Sequence, residues 1–332
     1  MELQIGPRVV PEMRLVSAKS YLIDRIVPQC EMIVLPERQL PGGTLRLDRA
    51  HARFAPRKRR RLARLLPVAP ETVPEGRWVF EMRFEDPENW AHFLNDHLPF
   101  FFKTADATGL DPEKALLLLP SDVPDYIVRA AAMFGLETWA TDAVVEGEGV
   151  TVTLDPYLAG RTERHVWTQL SYPKARLEAV RAAPASLDLP EKVFLTRKGQ
   201  RALSNHAEVE AWLTARGFVP ILPESLPVED QFRLFFAARE MVSLSGACLA
   251  PLLYMTAPER GPERLIELQP CGHMSTVYRE MAHLVGAHFV GVRGRIKPEY
   301  VKPAYQFDTL FRKFSQDNFH VDPEALEIAF TV

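Results

Sequence analysis

Cysteine is scarce in this 332-residue chain: Cys30, Cys248 and Cys271 form an odd, scattered set. Three such thiols exclude a disulfide-stapled scaffold and fit small buried side chains in a reducing compartment. Long apolar runs are missing too. The richest stretches, 115–119 (ALLLL) and 247–255 (ACLAPLLYM), fall well short of the roughly 18 residues that a membrane-spanning helix needs. Glu2, Arg8, Glu12, Arg14, Lys19, Asp24 and Arg25 interrupt the first 30 residues, so no secretory leader is expected there. A net charge of −3 supplies no global field for nucleic acid. Neither a D-x-D triplet nor an H-x-x-x-H pair occurs, so spacing offers no metal site. The G-x-G-x-x-G triplet is absent as well, which disfavours a nicotinamide-dependent oxidoreductase.

What is present suits a soluble α/β protein. Hydrophobic residues make up 47% and charged residues 25%, enough apolar material for two sizeable cores. Only ten of the 40 basic residues are lysine, and arginine clusters at Arg57-Lys58-Arg59-Arg60-Arg61. With Leu62, Leu65 and Leu66 interleaved, this segment could form a short basic amphipathic helix on an anionic membrane surface. A solvated connector is the plainer reading. The expectation is a cytoplasmic protein, with peripheral contact at the inner membrane through 57–61 left open.

Strand-like and helix-like segments alternate along the chain. Residues 77–84 read as a strand, 89–107 as a helix, 115–119 as a buried strand, 125–134 as a helix and 151–154 as a strand. The first 56 residues suggest strands and loops only. Residues 182–191 (AAPASLDLPE) make the best linker. Beyond it, strands are expected at 193–196, 218–222, 241–244, 265–268 and 288–292. Helices are expected at 206–216, 228–238, 248–255 and 275–285, the first with a capping box of Ser204 or Asn205 and Glu208. This rhythm predicts parallel sheets covered on both faces: two Rossmann-like domains with a ligand in the cleft between them. The boundaries expected are 1–183, a linker at 184–191, 192–300, and a tail at 301–332 packing back.

Three constellations could carry chemistry. In 89–99 (NWAHFLNDHLP), Asn89, His92 and Asp96 fall at i, i+3 and i+7, on one polar helical face within an apolar segment. Asp96 or His92 could accept a proton from a hydroxyl nucleophile while the other orients it. Asp96 is the first choice, since it lies one turn after His92 and can reach an acceptor or polarise the imidazole. The plainer alternative is a helix cap beside a His–Asp pair. In 196–201 (TRKGQR), Arg197 stands at the carboxyl end of a strand, where its guanidinium fork would suit a phosphate. In 243–247 (SLSGA), Gly246 permits close backbone approach, and the following helix start would offer N–H groups to an anion.

Taken together, Arg197, Asn205, Gln231, Gly246-Ala247 and Glu267 resemble glycosyltransferase family 61 in order and spacing. The segments carrying the resemblance are R-K-G-Q-R-A-L-S-N-H-A-E-V, G-F-V-P-I-L-P-E, E-D-Q, S-G-A-C-L-A-P-L-L-Y-M and I-E-L-Q-P, with N-x-x-H-F-x-x-D upstream. It spans about residues 78–295 and is closest to the bacterial capsular-polysaccharide type. The family pattern has His before Gly-Ala; here that position is Ser245.

The resemblance implies a GT-B-like enzyme, inverting and metal-independent, that takes a sugar from a nucleotide-sugar donor. UDP-sugar is the first choice of donor, used as substrate with no cofactor, and the acceptor would be a glycan or a lipid-linked glycan in surface polysaccharide assembly. It assigns donor binding to Arg197, Arg201, Ser245, Gly246, Ala247 and Glu267, and supporting roles to Asn89, Asn205 and Gln231. His92 and Asp96 take the catalytic role, and nucleic acid is not a partner. The rival is a non-catalytic nucleotide- or glycan-binding protein that retains the fold, with Ser245 as its best argument.

Overall fold

In the computed structural model, the residues described are 44–47, 70–83, 86–150, 167–186, 188–255, 261–297 and 314–331. They fall into two compact units, one up to Ala183 and one from Pro184 onward. Each is built on a largely parallel sheet with helical crossovers, so the chain is mixed α/β and Rossmann-like. The segments 1–43, 57–61 and 151–154, with Cys30, lie outside the described residues.

The first unit contains strands β1 (Thr44–Leu47), β2 (Glu71–Thr72), β3 (Trp78–Glu81), β4 (Ala115–Leu119), β5 (Glu137–Ala140) and β6 (Val145–Val150). Their order is β1-β6-β3-β4-β5, with β2 also on β6; only β1 runs antiparallel. β6 was not expected from sequence, because V-E-G-E-G-V has two glycines and no apolar alternation. β3 is shorter than expected.

The expected helix at 89–107 forms as α1 with a break in its winding. An α-turn at Trp90–His92 passes into a π-helical stretch, Phe93–His97, and then into an α-helix, Leu98–Thr108. All five π-helical residues are buried, including Asn95, Asp96 and His97, and such stretches concentrate at functional sites. Gly109, in the left-handed region, closes α1. Helices α2 (Asp125–Met133) and α3 (Ser171–Ala182) complete this unit.

The second unit follows its expected rhythm to within two or three residues at each boundary. Strands β7 (Lys192–Leu195), β8 (Val219–Ile221), β9 (Glu240–Leu244), β10 (Arg264–Gln269) and β11 (His288–Arg293) alternate with α4 (His206–Thr214), α5 (Val228–Ala237), a 3₁₀ helix (Ala247–Tyr254) and α6 (Val277–Leu284). Helix α7 (Pro323–Thr331) is the last element of the described residues. The sheet is parallel throughout, in the order β11-β10-β9-β7-β8. Counted within the unit this is 5-4-3-1-2, the doubly wound order whose switch point lies between the first and third strands. Here those are β7 and β9.

One face of this sheet is closed by α4 and the C-terminal segment. Phe194, Val242, Leu244, Ile266, Leu268, Val290 and Val292 pack against Val209, Leu213, Phe319, Val321, Leu326 and Ala329. At roughly 25 cal/mol per Å² of apolar area removed from water, such burial supplies the main driving force. Strand residues alternate between faces, so Ser243, Glu267 and Gln269 project from the opposite face.

Candidate functional site

The carboxyl ends of β7 and β9 lie side by side, with Leu195 paired to Ser243. Arg197, two residues beyond β7, turns its guanidinium toward β9, and Nη1 donates to the Ser245 carbonyl at 3.0 Å. This contact explains Gly246. Its φ of 170° is ordinary extended backbone, but a Cβ there would lie 2.5 Å from Arg197 Nη1. A side chain at position 246 would therefore dislodge the arginine. The helix expected after Gly246 forms as a 3₁₀ helix, with Pro251 inside it. Its dipole alignment is poorer, so the N-terminal charge expected at Ala247 is weaker than the sequence suggested.

Arg201 enters the same region from the β7–α4 loop, and its backbone adopts a left-handed φ of 56°. Such a conformation costs a non-glycine residue roughly 1–3 kcal/mol and is held by its surroundings. Part of that hold is its main-chain N–H, which donates to the Gln316 carbonyl. Arg201 Nε is buried with no hydrogen-bond partner. Burial and the neighbouring Arg197 charge both pull its pKa down. Two guanidinium groups held this close, one of them partly desolvated, favour an anion between or beside them.

Glu267 is fully buried on the same side of the sheet, and desolvation raises its carboxyl pKa to about 7, against smaller lowering effects of Ser245, Gln269 and Arg201. Its Oε1, together with Ser245 Oγ and Gln269 Oε1, is buried without a hydrogen bond of ordinary geometry. Buried polar atoms without partners are uncommon in folded proteins, and several in one spot mark a place where a ligand completes the bonding. His273 lies just past β10, where burial and then Arg201 and Arg197 lower its pKa to about 4 and keep its imidazole neutral at physiological pH. Burial pushes the Cys248 thiol up to about 11, so it stays uncharged.

In the first unit, Asn89 Oδ1 accepts from the main-chain N–H groups of Ala91 and His92, and so caps α1. The cap occupies its carbonyl, as the plainer alternative for this segment expects. His92 Nδ1 meets Asp96 Oδ2 at 2.9 Å. The His92 side chain is 33% exposed and that of Asp96 only 3%. The carboxylate therefore stands behind the imidazole, in position to fix the tautomer with the proton on Nδ1.

The structure thus brings together Arg197, Arg201, Ser245, Gly246 and Glu267, with Ala247 next in the chain. It directs two other expected residues elsewhere. Asn205 flanks α4 without capping it, because its side chain grips the Val321 backbone at both N–H and C=O and donates to Glu208. The expected capping box is therefore not formed. Gln231 donates to the Leu226 carbonyl in the turn before α5. Gln269 and His273 were missed. The signal for Gln269 was available: L-I-E-L-Q alternates apolar and polar in what should be a central parallel strand, where continuous apolar residues are the rule.

Comparison with protein families settles the class. A model described as Glycosyltransferase 61 matches residues 90–260, more than half of the chain. The chain belongs to glycosyltransferase family 61. As a member of that family it is a glycosyltransferase, which binds a sugar donor and an acceptor. The match opens at Trp90, the first residue of α1, and extends past the 3₁₀ helix, so it includes the His92–Asp96 pair, Arg197 and Gly246 but not Glu267. Comparison with curated proteins gave no match. Among the described residues of this glycosyltransferase, no helix is long and apolar enough to cross a membrane, and no three His, Cys, Asp or Glu side chains gather as metal ligands.

Proposed function

We propose that this glycosyltransferase takes its sugar from a nucleoside-diphosphate donor held by the second unit. The carrying observation is the cluster at the β7–β9 switch point: two arginines beside buried polar atoms that lack partners. Arg197 and Arg201 neutralise the diphosphate as it departs, so the leaving group needs no metal. Glu267 accepts from the ribose hydroxyls. UDP-sugar remains the first choice of donor.

The acceptor hydroxyl is deprotonated by His92 Nε2, with Asp96 holding Nδ1–H; the buried carboxylate thus positions the base and does not itself meet the acceptor. In the single displacement we infer, the acceptor oxygen bonds to the anomeric carbon as the bond to the diphosphate oxygen breaks, which inverts the centre. The proton goes to His92. We assign donor binding to 192–300 and the acceptor side to 1–183 of a GT-B-type enzyme, with 184–191 as linker and 301–332 packing on the donor domain. A glycan or lipid-linked acceptor of a surface or capsular polysaccharide, cytoplasmic handling and membrane contact through 57–61 belong to the same proposal.

The test is a thermal-shift and calorimetric screen of the full chain against nucleotides and nucleotide sugars, followed by donor hydrolysis. A ligand that binds the native state raises its stability. One nucleoside diphosphate should stand out, and its sugar conjugate should be hydrolysed slowly in the absence of acceptor. Binding without any turnover would favour the non-catalytic rival, and no response to any nucleotide would refute the donor assignment.

A further inference from the structure

β10 lies between β9 and β11, and central parallel strands are ordinarily apolar on both faces. Ile266 and Leu268 keep that rule, whereas Glu267 and Gln269 alternate with them and are equally buried on the opposite face. The orientation of the Gln269 amide is fixed by its neighbours. Glu267 Oε2 lies 2.9 Å from Nε2 and the Ser275 carbonyl lies 3.1 Å from it. Both are acceptors, so the NH₂ group must face them and the amide oxygen must point away. That oxygen is buried with no partner, and Glu267 Oε1 has only the Ser245 hydroxyl beside it, in no bond of ordinary geometry. An amide oxygen without a donor thus stands one same-face residue from a carboxylate oxygen with a lone pair to spare, and a ligand with two neighbouring hydroxyls would supply both.

We propose that Gln269 is a positioning residue: its one amide nitrogen ties the Glu267 carboxylate to the loop after β10, so that Glu267 Oε1 and the Gln269 carbonyl together face a vicinal diol of the bound ligand. The inference rests on the donor-site reading above, in which that diol is the ribose. The tie also joins sheet and loop, because Ser275 stands two residues before α6. The charged and titratable groups facing Glu267 are Arg201 from the β7–α4 loop and Cys248 from the 3₁₀ helix, with the Ser245 hydroxyl beside them. Arg201 is faced in turn by Arg197, by Tyr278 of α6 and by His273. Ser245, Gln269 and Arg201 all favour the ionised carboxylate, the form that accepts best from hydroxyl groups. Without the amide donor, Glu267 would ionise only at higher pH.

The experiment uses the full chain as wild type, Gln269→Met, Glu267→Gln and the double variant. Affinity for the tightest binder among UDP, GDP and CDP is measured by calorimetry between about pH 5.5 and 8.5, with melting temperatures in parallel. The Glu267→Gln profile carries whatever titration belongs to the ligand itself. Wild-type affinity should rise above that profile as Glu267 ionises near pH 7.

Gln269→Met should weaken binding about tenfold at neutral pH and move the rise up by about one pH unit. The double variant should show no pH-dependent rise and should bind more weakly than Glu267→Gln yet lose less than the two single losses combined, because Gln269 acts partly through Glu267 and partly through its own carbonyl. An unmoved midpoint, with the two losses simply adding, would overturn the inference while leaving the donor site in place. If Glu267→Gln binds like wild type at every pH, or if no nucleotide binds, the donor-site reading fails and takes the inference with it. Should Gln269→Met fail to fold, Gln269→Asn withdraws the amide by one methylene and gives the same readout.

Discussion

β3 and β10 each carry a buried glutamate near the carboxyl end, followed two residues later by a long polar side chain. In the first unit the follower is Arg83, which saturates Glu81: its main-chain N–H and Nε donate to Oε1 at 2.9 Å, and Nη2 donates to Oε2 at 2.7 Å. Arg83 Nη1 goes on to the Thr141 and Ala143 carbonyls and binds the loop after β5. In the second unit the follower is Gln269, which brings a single nitrogen and no charge to Glu267. One glutamate is closed off as a structural bolt; the other keeps an oxygen with only the Ser245 hydroxyl nearby and no bond of ordinary geometry. A buried charge compensated inside the chain holds a fold, and one left undercompensated awaits a ligand.

Five measurements sharpen or break that contrast. The largest effect should come from the exposed member of the His92–Asp96 pair. His92→Gln should lower turnover by roughly 10²–10⁴-fold with donor affinity nearly unchanged, and Asp96→Asn should act more mildly through orientation. If both variants only lose melting temperature, and the folded fraction turns over at the wild-type rate, the pair is structural. Next, Arg83→Met should destabilise the first unit by about 3–5 kcal/mol, the cost of stranding a buried carboxylate. Denaturant melts read this, and nucleotide binding should survive in the folded fraction.

Glu267→Gln should do the reverse of Arg83→Met. A carboxyl whose folded pKa is raised from 4.5 to about 7 binds more protons folded than unfolded, so it lowers stability as pH rises through that window. Removing it should stabilise the ligand-free protein above pH 7 by up to about 3 kcal/mol while weakening nucleotide binding. Equal melting of variant and wild type at pH 8 would contradict the burial argument.

Arg197→Ala should cost about 1.5–3 kcal/mol of nucleoside-diphosphate affinity, and Arg197→Lys should recover only part of it, lacking the fork. Calorimetry with unchanged affinity would dispose of its phosphate role. The smallest effect is expected at Asn205. Replacement by Ala should cost about 1 kcal/mol of stability through the lost Val321 bonds and leave nucleotide affinity alone.

The sequence by itself determined the second unit's alternation of strands and helices, because periodicity, Gly217 and the proline-rich linker are local signals. It also singled out Arg197 and Ser245–Gly246, since a strand end and a glycine before a helical segment can be read along the chain, while Glu267 entered through the family resemblance. What it could not decide were partnerships. Asn205 stood where a cap should stand, yet its amide serves a backbone 116 residues away. Asn89 could be read as one residue of a polar face or as a helix cap, and the tertiary structure shows its carbonyl on the Ala91 and His92 N–H groups. The π-helical stretch at 93–97 and the burial of Asp96 behind His92 depend on what packs around α1, which no single-helix pattern contains. Glu267 was legible as a residue, whereas its raised pKa, its sparse set of donors and its tie to Gln269 arise only where β9, β10 and the loops beyond them meet. Hydrogen bonding and desolvation are properties of that assembled neighbourhood, so tertiary structure alone separates the glutamate that locks from the glutamate that stays open.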